Sequence, residues 1–289
     1  MSDQHHEHRG RNPAAGECFY VRFWGVRGSI ACSGHETAKY GGNTASLEVC
    51  CGEHLLMFDA GTGIRYLGCE LEQQGAVEAD IFLTHTHFDH VCGLPFFTPL
   101  FVRENKIRLW AGHLLPQRNL VQMVRRLMED PLFPVPPEVF HAELVCHDFT
   151  AGETLEPKPG VTLRTAPLHH PNGATGYRVD FGGRSLCYVT DTEHAVGAPD
   201  RNVLDLIAGA DLVIYDCTYT DEEYGARVGW GHSTWQEGVR LCDAAGAGRL
   251  VIFHHDPCHD DAFMDGVAAE AEAVRPGSVV AREGMVLDL

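Results

Sequence analysis

Thr84-His85-Thr86-His87-Phe88-Asp89-His90 places four metal-ligating side chains within six residues, directly after the apolar run Asp80–Thr84. In an extended turn His85 and His87 project to the same side and can share one ion, while Asp89 and His90 reach a second. Imidazole combined with carboxylate suits Zn²⁺, and also Mn²⁺ or Fe²⁺. A core could not bury so many polar groups without partners. Three further apolar runs end in the same residue types: Leu168-His169-His170-Pro171, Tyr188-Val189-Thr190-Asp191 and Val251-Ile252-Phe253-His254-His255. Alone, each reads as an ordinary surface or core residue. Four strand ends converging on one place supply seven ligands, enough for two divalent ions.

The elements that carry these residues follow from the hydrophobic pattern. Phe19–Trp24, Ser46–Cys50 and His54–Asp59 are predicted strands that open a sheet in antiparallel fashion. Ile64–Gln74 is a predicted helix between two glycines. Leu114–Glu129 is predicted as a helix from apolar residues at helical spacing, stopped by Pro131. Residues 131–140 are too proline-rich for either element and form a connector or a pocket wall. Val161–Ala166, Gly176–Phe181, Ser185–Thr190, Leu212–Tyr215 and Arg249–Phe253 read as strands. Arg201–Ala208 and Asp261–Val274 read as helices. Thr234-Trp235-Gln236-Glu237 is a capping box that opens another helix, ending before Gly246. Strands followed by helices, twice over, predict an α/β fold: a four-layer αββα sandwich of two mixed sheets flanked by helices. Residues 1–17 read as a flexible tail, in which His5, His6 and His8 are disordered-terminus residues, and 18–289 as a single domain.

Composition narrows the function. The chain has 289 residues, 44% hydrophobic and 21% charged, which is ordinary globular material. Its formal charge of −18 opposes an extended nucleic-acid interface, because the long-range field repels a phosphate backbone. A small anionic substrate in a locally positive site is compatible with it. Without an apolar run of about 18 residues, no membrane span is expected. The opening residues lack the apolar stretch of a secretory signal. The 11 Cys include no C-x-x-C spacing and lie mostly in apolar runs, so they read as free core thiols in a cytoplasmic setting.

The motifs Asp59-Ala60-Gly61-Thr62-Gly63, His85–His90, His170, Asp191 and His254 follow one another in an order that resembles the metallo-β-lactamase-fold hydrolase superfamily. Within it, His170-Pro171-Asn172-Gly173-Ala174-Thr175-Gly176-Tyr177-Arg178, Gly231-His232-Ser233-Thr234 and His254-His255-Asp256-Pro257 resemble the phosphodiesterase branch. That branch holds the tRNA 3′-processing endonuclease and the cyclic-nucleotide and cyclic-phosphate phosphodiesterases. The segments Phe23–Ser29 and Tyr40–Thr44 look like a bacterial subgroup with mostly unassigned substrates. The resemblance implies that His85, His87 and His170 bind one metal, that Asp89, His90 and His254 bind the other, and that Asp191 bridges them. It selects His170 over His169 and His254 over His255, and leaves the unused neighbours as supporting or substrate-facing groups.

The expected function is a dinuclear metal-dependent hydrolase, first of all a phosphodiesterase for a cyclic nucleotide or another small phosphodiester. Two ions, zinc before manganese or iron, would hold a bridging hydroxide for attack and take the charge on a phosphoryl oxygen. Asp89, Asp191 and His232 form the expected catalytic set, with His232 giving a proton to the departing alkoxide. Asp59 is expected to brace the ligand loop. Asn43, Thr44 and His255 are expected substrate contacts. Loop-building is the favoured role for Asn43 and Thr44, as it is for Arg27, a further phosphate-contact candidate. Cys217 after Asp216 invites a nucleophile reading, but without a paired base it reads as packing. Thioester, lactone or other ester hydrolysis is the alternative on the same fold. The tRNA nuclease ranks below it, because the basic arm of that family has no counterpart among Arg118, Arg125 and Arg126. A non-catalytic metal-bound scaffold also ranks below, and a homodimer is allowed.

Overall fold

In a computed structural model describing residues 18–289, the chain builds two seven-stranded sheets. The expectation for the first 17 residues lies outside the described part. The first sheet holds β1 (Phe19–Gly25), β2 (Ser46–Cys51), β3 (His54–Phe58), β4 (Glu78–Leu83), β5 (Lys106–Ala111) and β6 (Glu143–Asp148). The second holds β7 (Thr154–Lys158), β8 (Val161–Leu168), β9 (Ala174–Phe181), β10 (Arg184–Val189), β11 (Leu212–Asp216), β12 (Arg249–Phe253) and β13 (Val279–Val280). The last strand, β14 (Val286–Asp288), returns to the first sheet beside β1.

Side-chain alternation along each strand sorts the core into layers. On β4, Phe82 points between the sheets while Ile81 and Leu83 point outward. On β12, Val251 and Phe253 point between the sheets while Leu250 and Ile252 point outward. Helices then cover both outer faces. Helices α1 (Ile64–Leu71) and α3 (Leu120–Leu127) lie on the first sheet, with the short α2 (Phe88–Val91) between them in sequence. Helices α4 (Arg201–Ile207), α6 (Trp235–Ala244) and α7 (Asp261–Val274) lie on the second, with the single turn α5 (Asp221–Tyr224) preceding α6. This is the expected αββα sandwich.

Several boundaries differ from the sequence reading. Helix α3 begins at Leu120 rather than Leu114, because the Asn119 side chain accepts from Gln122 N while Gln122 Oε1 accepts from Asn119 N. That reciprocal cap starts the helix beyond Pro116. After Leu71 the first helix tightens to a 3₁₀ turn over Glu72–Gln74. Thr234 does cap α6, accepting from Glu237 N at 3.1 Å, but the Glu237 carboxylate turns to Arg240 instead of closing the box. Strands β5, β6 and β7 were not anticipated. The 131–140 segment is largely exposed and contains one 3₁₀ turn, Pro137–Val139.

The pairing β3–β4 is parallel, as are β10–β11 and β11–β12. Their carboxyl ends therefore open at one edge, where parallel strands present loops for ligands. Asp59, His85–His90, Asp191 and His254 follow such ends, and Asp216 is the last residue of β11.

Candidate metal centre

The strand ends bring the predicted ligands together in two groups. His85, His87 and His170 offer nitrogens within 4.8 Å of one another, and Asp89, His90 and His254 form a second such set. Asp191 lies between them. Its Oδ1 is 3.7 Å from both His85 Nε2 and His170 Nε2, and its Oδ2 is 3.1 Å from His90 Nε2 and 3.4 Å from His254 Nε2. Each carboxylate oxygen thus faces one group.

The outer hydrogen bonds decide which ring nitrogens carry lone pairs into the centre. The Thr84 hydroxyl donates to Asp59, so it accepts from His85 Nδ1–H at 3.1 Å. His90 Nδ1–H donates to Asp59 Oδ2 at 2.8 Å. His170 Nδ1–H donates to the Gly231 carbonyl at 2.7 Å. The Thr218 hydroxyl donates to Asp216 Oδ1 and so accepts from His254 Nδ1–H at 3.0 Å. In all four rings Nε2 is left as an inward-facing lone pair, the arrangement second partners impose on metal-binding histidines. His87 turns Nδ1 inward instead, 3.0 Å from His170 Nε2, and its Nε2 meets the Asn172 carboxamide.

These donors fit divalent ions. A tetrahedral zinc with nitrogen at about 2.0–2.1 Å sets neighbouring ligand atoms about 3.3 Å apart. His90 Nε2 and His254 Nε2 stand 3.2 Å apart, and Asp89 Oδ2 lies 3.3 and 3.5 Å from them. His85 Nε2 is buried with no hydrogen-bond partner, which leaves a lone pair that an ion would satisfy. The electrostatics point the same way. Burial works against charge on His90, yet Asp191, Asp89 and Asp59 push its pKa well above the histidine range. Burial also opposes ionisation of Asp191, but His254 and His90 hold its carboxyl well below the usual range. Burial holds His85 well below the usual value, assisted by the neighbouring His90. The field at the Asp89–His90–Asp191 corner is one that gathers positive charge.

Backbone strain is concentrated here. Asp59, Asp191 and His254 adopt φ of 60°, 57° and 63°, a left-handed region that non-glycine residues rarely occupy. Such conformations cost roughly 1–3 kcal/mol each and persist where surrounding contacts over-determine them. Asp59 is fully buried and holds Thr84 N, the Thr84 hydroxyl, His90 and the Tyr188 hydroxyl. It braces the ligand loop.

His232 stands beside the ligand groups, its ring stacked 4.9 Å from that of His254 and edge-on to that of His170 at 5.4 Å. Its Nδ1–H donates to Asp216 Oδ2 at 3.0 Å. Burial lowers its proton affinity, but Asp216, by charge and hydrogen bond, and then Asp191 and Asp89 raise the pKa to about 9. Asp216, seen in the sequence only as a neighbour of Cys217, is the group that holds this histidine. The available signal was an apolar strand ending in aspartate, the same pattern that marks Asp191. Cys217 itself is buried, and burial pushes its thiol far up, so it is a packing residue.

The expected substrate contacts need correction. His255 is fully buried, bonded through Nε2 to the Ala281 carbonyl, and burial holds its pKa down at about 3. It supports the fold and does not face substrate. The Asn43 carboxamide is consumed by Glu283 and the Thr62 hydroxyl, and Thr44 Oγ1 accepts from Thr62 N, so both build a loop. Arg27 is buried and reaches the carbonyls of Gly41, Asp256 and His259. His169 is exposed beside the inward His170. A groove of about 630 Å³ starts at Thr86 and Phe88 and runs along α3 past Leu114, Arg118 and Gln122. None of residues 131–140 lines it. Among the described residues no helix is long and apolar enough to cross a membrane.

Fold and donor set define a metal-dependent hydrolase of the metallo-β-lactamase fold. The family described as "Beta-lactamase superfamily domain" matches residues 54–255, and the chain belongs to that superfamily. Ribonuclease Z of Porphyromonas gingivalis is 30% identical over 282 residues, covering 82% of this chain and 90% of that protein. Ribonuclease Z of Myxococcus xanthus is 25% identical over 295 residues, covering 86% and 92%. Among solved structures, the metallo-beta-lactamase fold protein YhfI from Bacillus subtilis superposes with a TM-score of 0.71 at 20% identity, over 94% of this chain and all of the other. A diphosphatase from the PhnP family gives 0.69 at 18% identity, over 94% and 98%.

Proposed function

We propose that the protein is a dinuclear metal-dependent phosphodiesterase acting on a cyclic nucleotide or another small phosphodiester. The observation that carries this reading is the pairing of two ligand groups around Asp191 with a buried, carboxylate-held His232 at their side. His85, His87 and His170 would hold one ion, and Asp89, His90 and His254 the other, with Asp191 shared. Zinc is the first candidate, and manganese and iron suit the same donors. When bound, such ions acidify water and stabilise charge on phosphoryl oxygens. The protein supplies the rest. Asp89 Oδ2 is fixed by Ser29 N at 2.7 Å, and Asp191 Oδ2 by the Thr190 hydroxyl at 2.8 Å, so neither carboxylate reorganises during the reaction. His232, which Asp216 biases toward its protonated form, would direct Nε2–H toward the departing alkoxide while Asp216 keeps the proton on Nδ1. With only two carboxylates among the ligands, two dications leave the site locally positive within an acidic chain. A small anion is drawn in at short range.

A second reading, a tRNA 3′-end nuclease, is favoured by the identity of the relatives named Ribonuclease Z. Against it, His170 and Asp191 are joined by the single hairpin β9–β10, which leaves no room for a gripping arm there. Hydrolysis of bis-p-nitrophenyl phosphate, with and without chelation and with Zn²⁺ or Mn²⁺ restored, tests the phosphodiesterase reading. Metal-dependent turnover is expected, followed by turnover of 2′,3′- or 3′,5′-cyclic AMP. Inactivity on all three in a preparation carrying two ions per chain refutes it and directs attention to thioesters and lactones. Cleavage of precursor tRNA with none of the cyclic nucleotides selects the nuclease instead.

A further inference from the structure

The segment between α5 and His232 is a built loop whose side chains the mechanism above does not use. The Glu193 carboxylate accepts from Gly229 N and Gly231 N, both at 2.8 Å, and Glu193 N donates to the His169 carbonyl. Gly231 has φ +85°, and a Cβ there would stand 2.4 Å from His170 Nδ1 and from Pro171 Cδ. The loop is therefore pressed against a predicted ligand, with Trp230 on its outer side.

Trp230 is 59% exposed, a large indole left in solvent beside the centre. The Arg227 guanidinium lies 4.9 Å from its ring centroid and 5.8 Å from that of Tyr219. Tyr219 is buried and sits edge-on to His232, centroids 6.0 Å apart. The stack Tyr219–Arg227–Trp230 thus extends outward from His232. The guanidinium is at most about 12 Å from the His232 ring along this path. Of the acidic residues preceding it, Asp221 pairs with Arg240 and Glu223 with His259, and the exposed Glu222 makes no ion pair with it. Among the described residues no carboxylate is in ion-pair contact with Arg227. An uncompensated guanidinium clamped between two rings is preorganised for an anionic oxygen. The exposed indole offers a stacking surface for a flat heterocycle.

We propose that Arg227 and Trp230 form the leaving-group subsite of the metal centre, fitted to a small phosphodiester whose departing part is itself a nucleotide: the nucleobase stacks on Trp230 while Arg227 takes an oxygen of that nucleotide's own phosphate, separate from the phosphate held at the centre. The side is set by His232, since the group that protonates the departing oxygen faces the fragment that departs. This rests on the phosphodiesterase reading, but its test requires no turnover. Calorimetric titration of the metal-loaded protein with 5′-AMP and with ribose 5-phosphate separates the two contacts. The expected result is tighter binding of 5′-AMP than of ribose 5-phosphate, and loss of that preference, about tenfold, in Trp230→Ala. Arg227→Ala should weaken both probes by about tenfold, with partial recovery in Arg227→Lys. Unchanged metal content in each variant confirms that the centre is intact. The proposal is overturned if Trp230→Ala binds both probes as the wild type does, or weakens both equally, or if Arg227→Ala leaves both unaltered. Failure to hydrolyse any phosphodiester would instead overturn the reaction and leave these binding results standing.

Discussion

The role of Asp216 can be tested by Asp216→Asn, which keeps the shape of the side chain and removes its charge. The carboxylate is fully buried and accepts from His232 Nδ1, Thr192 N, Thr218 N and the Thr218 hydroxyl. Raising His232 from the ordinary 6.5 to about 9 favours its charged form by roughly 3 kcal/mol. His232 is only 9% exposed, so solvent screening removes little of this. The largest favourable contribution comes from Asp216. Without that charge, the proton on His232 is held less tightly and the histidine serves as an acid only at lower pH.

Two phosphodiesters distinguish this from simple damage. A p-nitrophenolate leaves without help at neutral pH, whereas the ribose alkoxide of 2′,3′-cyclic AMP needs a proton. In Asp216→Asn, turnover of the cyclic nucleotide should fall about 10²–10⁴-fold, the usual contribution of a positioned acid. Turnover of bis-p-nitrophenyl phosphate should fall by less than about tenfold. The alkaline limb of the pH profile should move at least about one unit lower than in the wild type. Bound dications pull the His232 value down in both proteins, so the displacement between them is the quantity to read. The carboxamide has one oxygen for four donors, so stability also drops, by about 1–3 kcal/mol for each stranded donor. Equal losses on both substrates, or an unmoved alkaline limb, would falsify the acid role of His232.

Asp59→Asn should lower metal affinity about 10–100-fold, measured by competition with a chromophoric chelator, because His90 loses the acceptor that fixes its tautomer. Retained affinity would mean that the brace is dispensable. Gly231→Ala forces a Cβ onto His170 at a positive φ, so one ion should be lost preferentially, with about 1–3 kcal/mol of stability. Two tightly bound ions in this variant would contradict the assigned contact. His255 is neutral in the fold down to about pH 3, while an unfolded histidine takes up a proton below about 6.5. Protonation therefore favours the unfolded chain across that window, and stability should fall with decreasing pH by up to about 1.4 kcal/mol per unit from this group. Denaturant unfolding at pH 7 and pH 5 should show a shallower decline in His255→Gln than in wild type; equal slopes would reject the attribution.

The legible part of the site is the part written in consecutive residues or at the ends of apolar runs. His85–His90 could be assigned to one centre because four donors follow a single strand. The same logic reached Asp191 and His254, each just beyond a strand buried on both faces. Strands β5 and β7 were hidden for different reasons. In β5, Lys106, Arg108 and Trp110 alternate with Ile107, Leu109 and Ala111, so the charged positions mask an alternating strand. In β7, Pro157 argues against a strand, but β7 lies at the sheet edge, where a missing donor costs nothing. Asn43 and Thr44 build a loop, the role favoured for them, whereas the burial of His255 cannot be read from its polarity. Their partners, Glu283, Thr62 and Ala281, are 18 or more residues away in sequence, and the fold shows them satisfied.

Asp216 marks the boundary between these cases. It ends an apolar strand just as Asp191 does, and by that rule it could have been placed at the centre. What separates the two is register: β10 and β11 run parallel with Val189 opposite Tyr215, so Asp191 reaches past its strand end while Asp216 is still within its own. Asp191, at φ 57°, turns back between the ligand groups. Asp216, one step deeper, meets the outer nitrogen of His232, the Thr218 hydroxyl that orients His254, and the backbone N–H groups of Thr192 and Thr218. A displacement of this kind, invisible in residue type, divides the carboxylate set between the two candidate ligand groups from the one bonded to the histidine beside them. The residues naming the chemistry can be read from the chain, whereas those adjusting it are defined by how far each strand extends beside its neighbour.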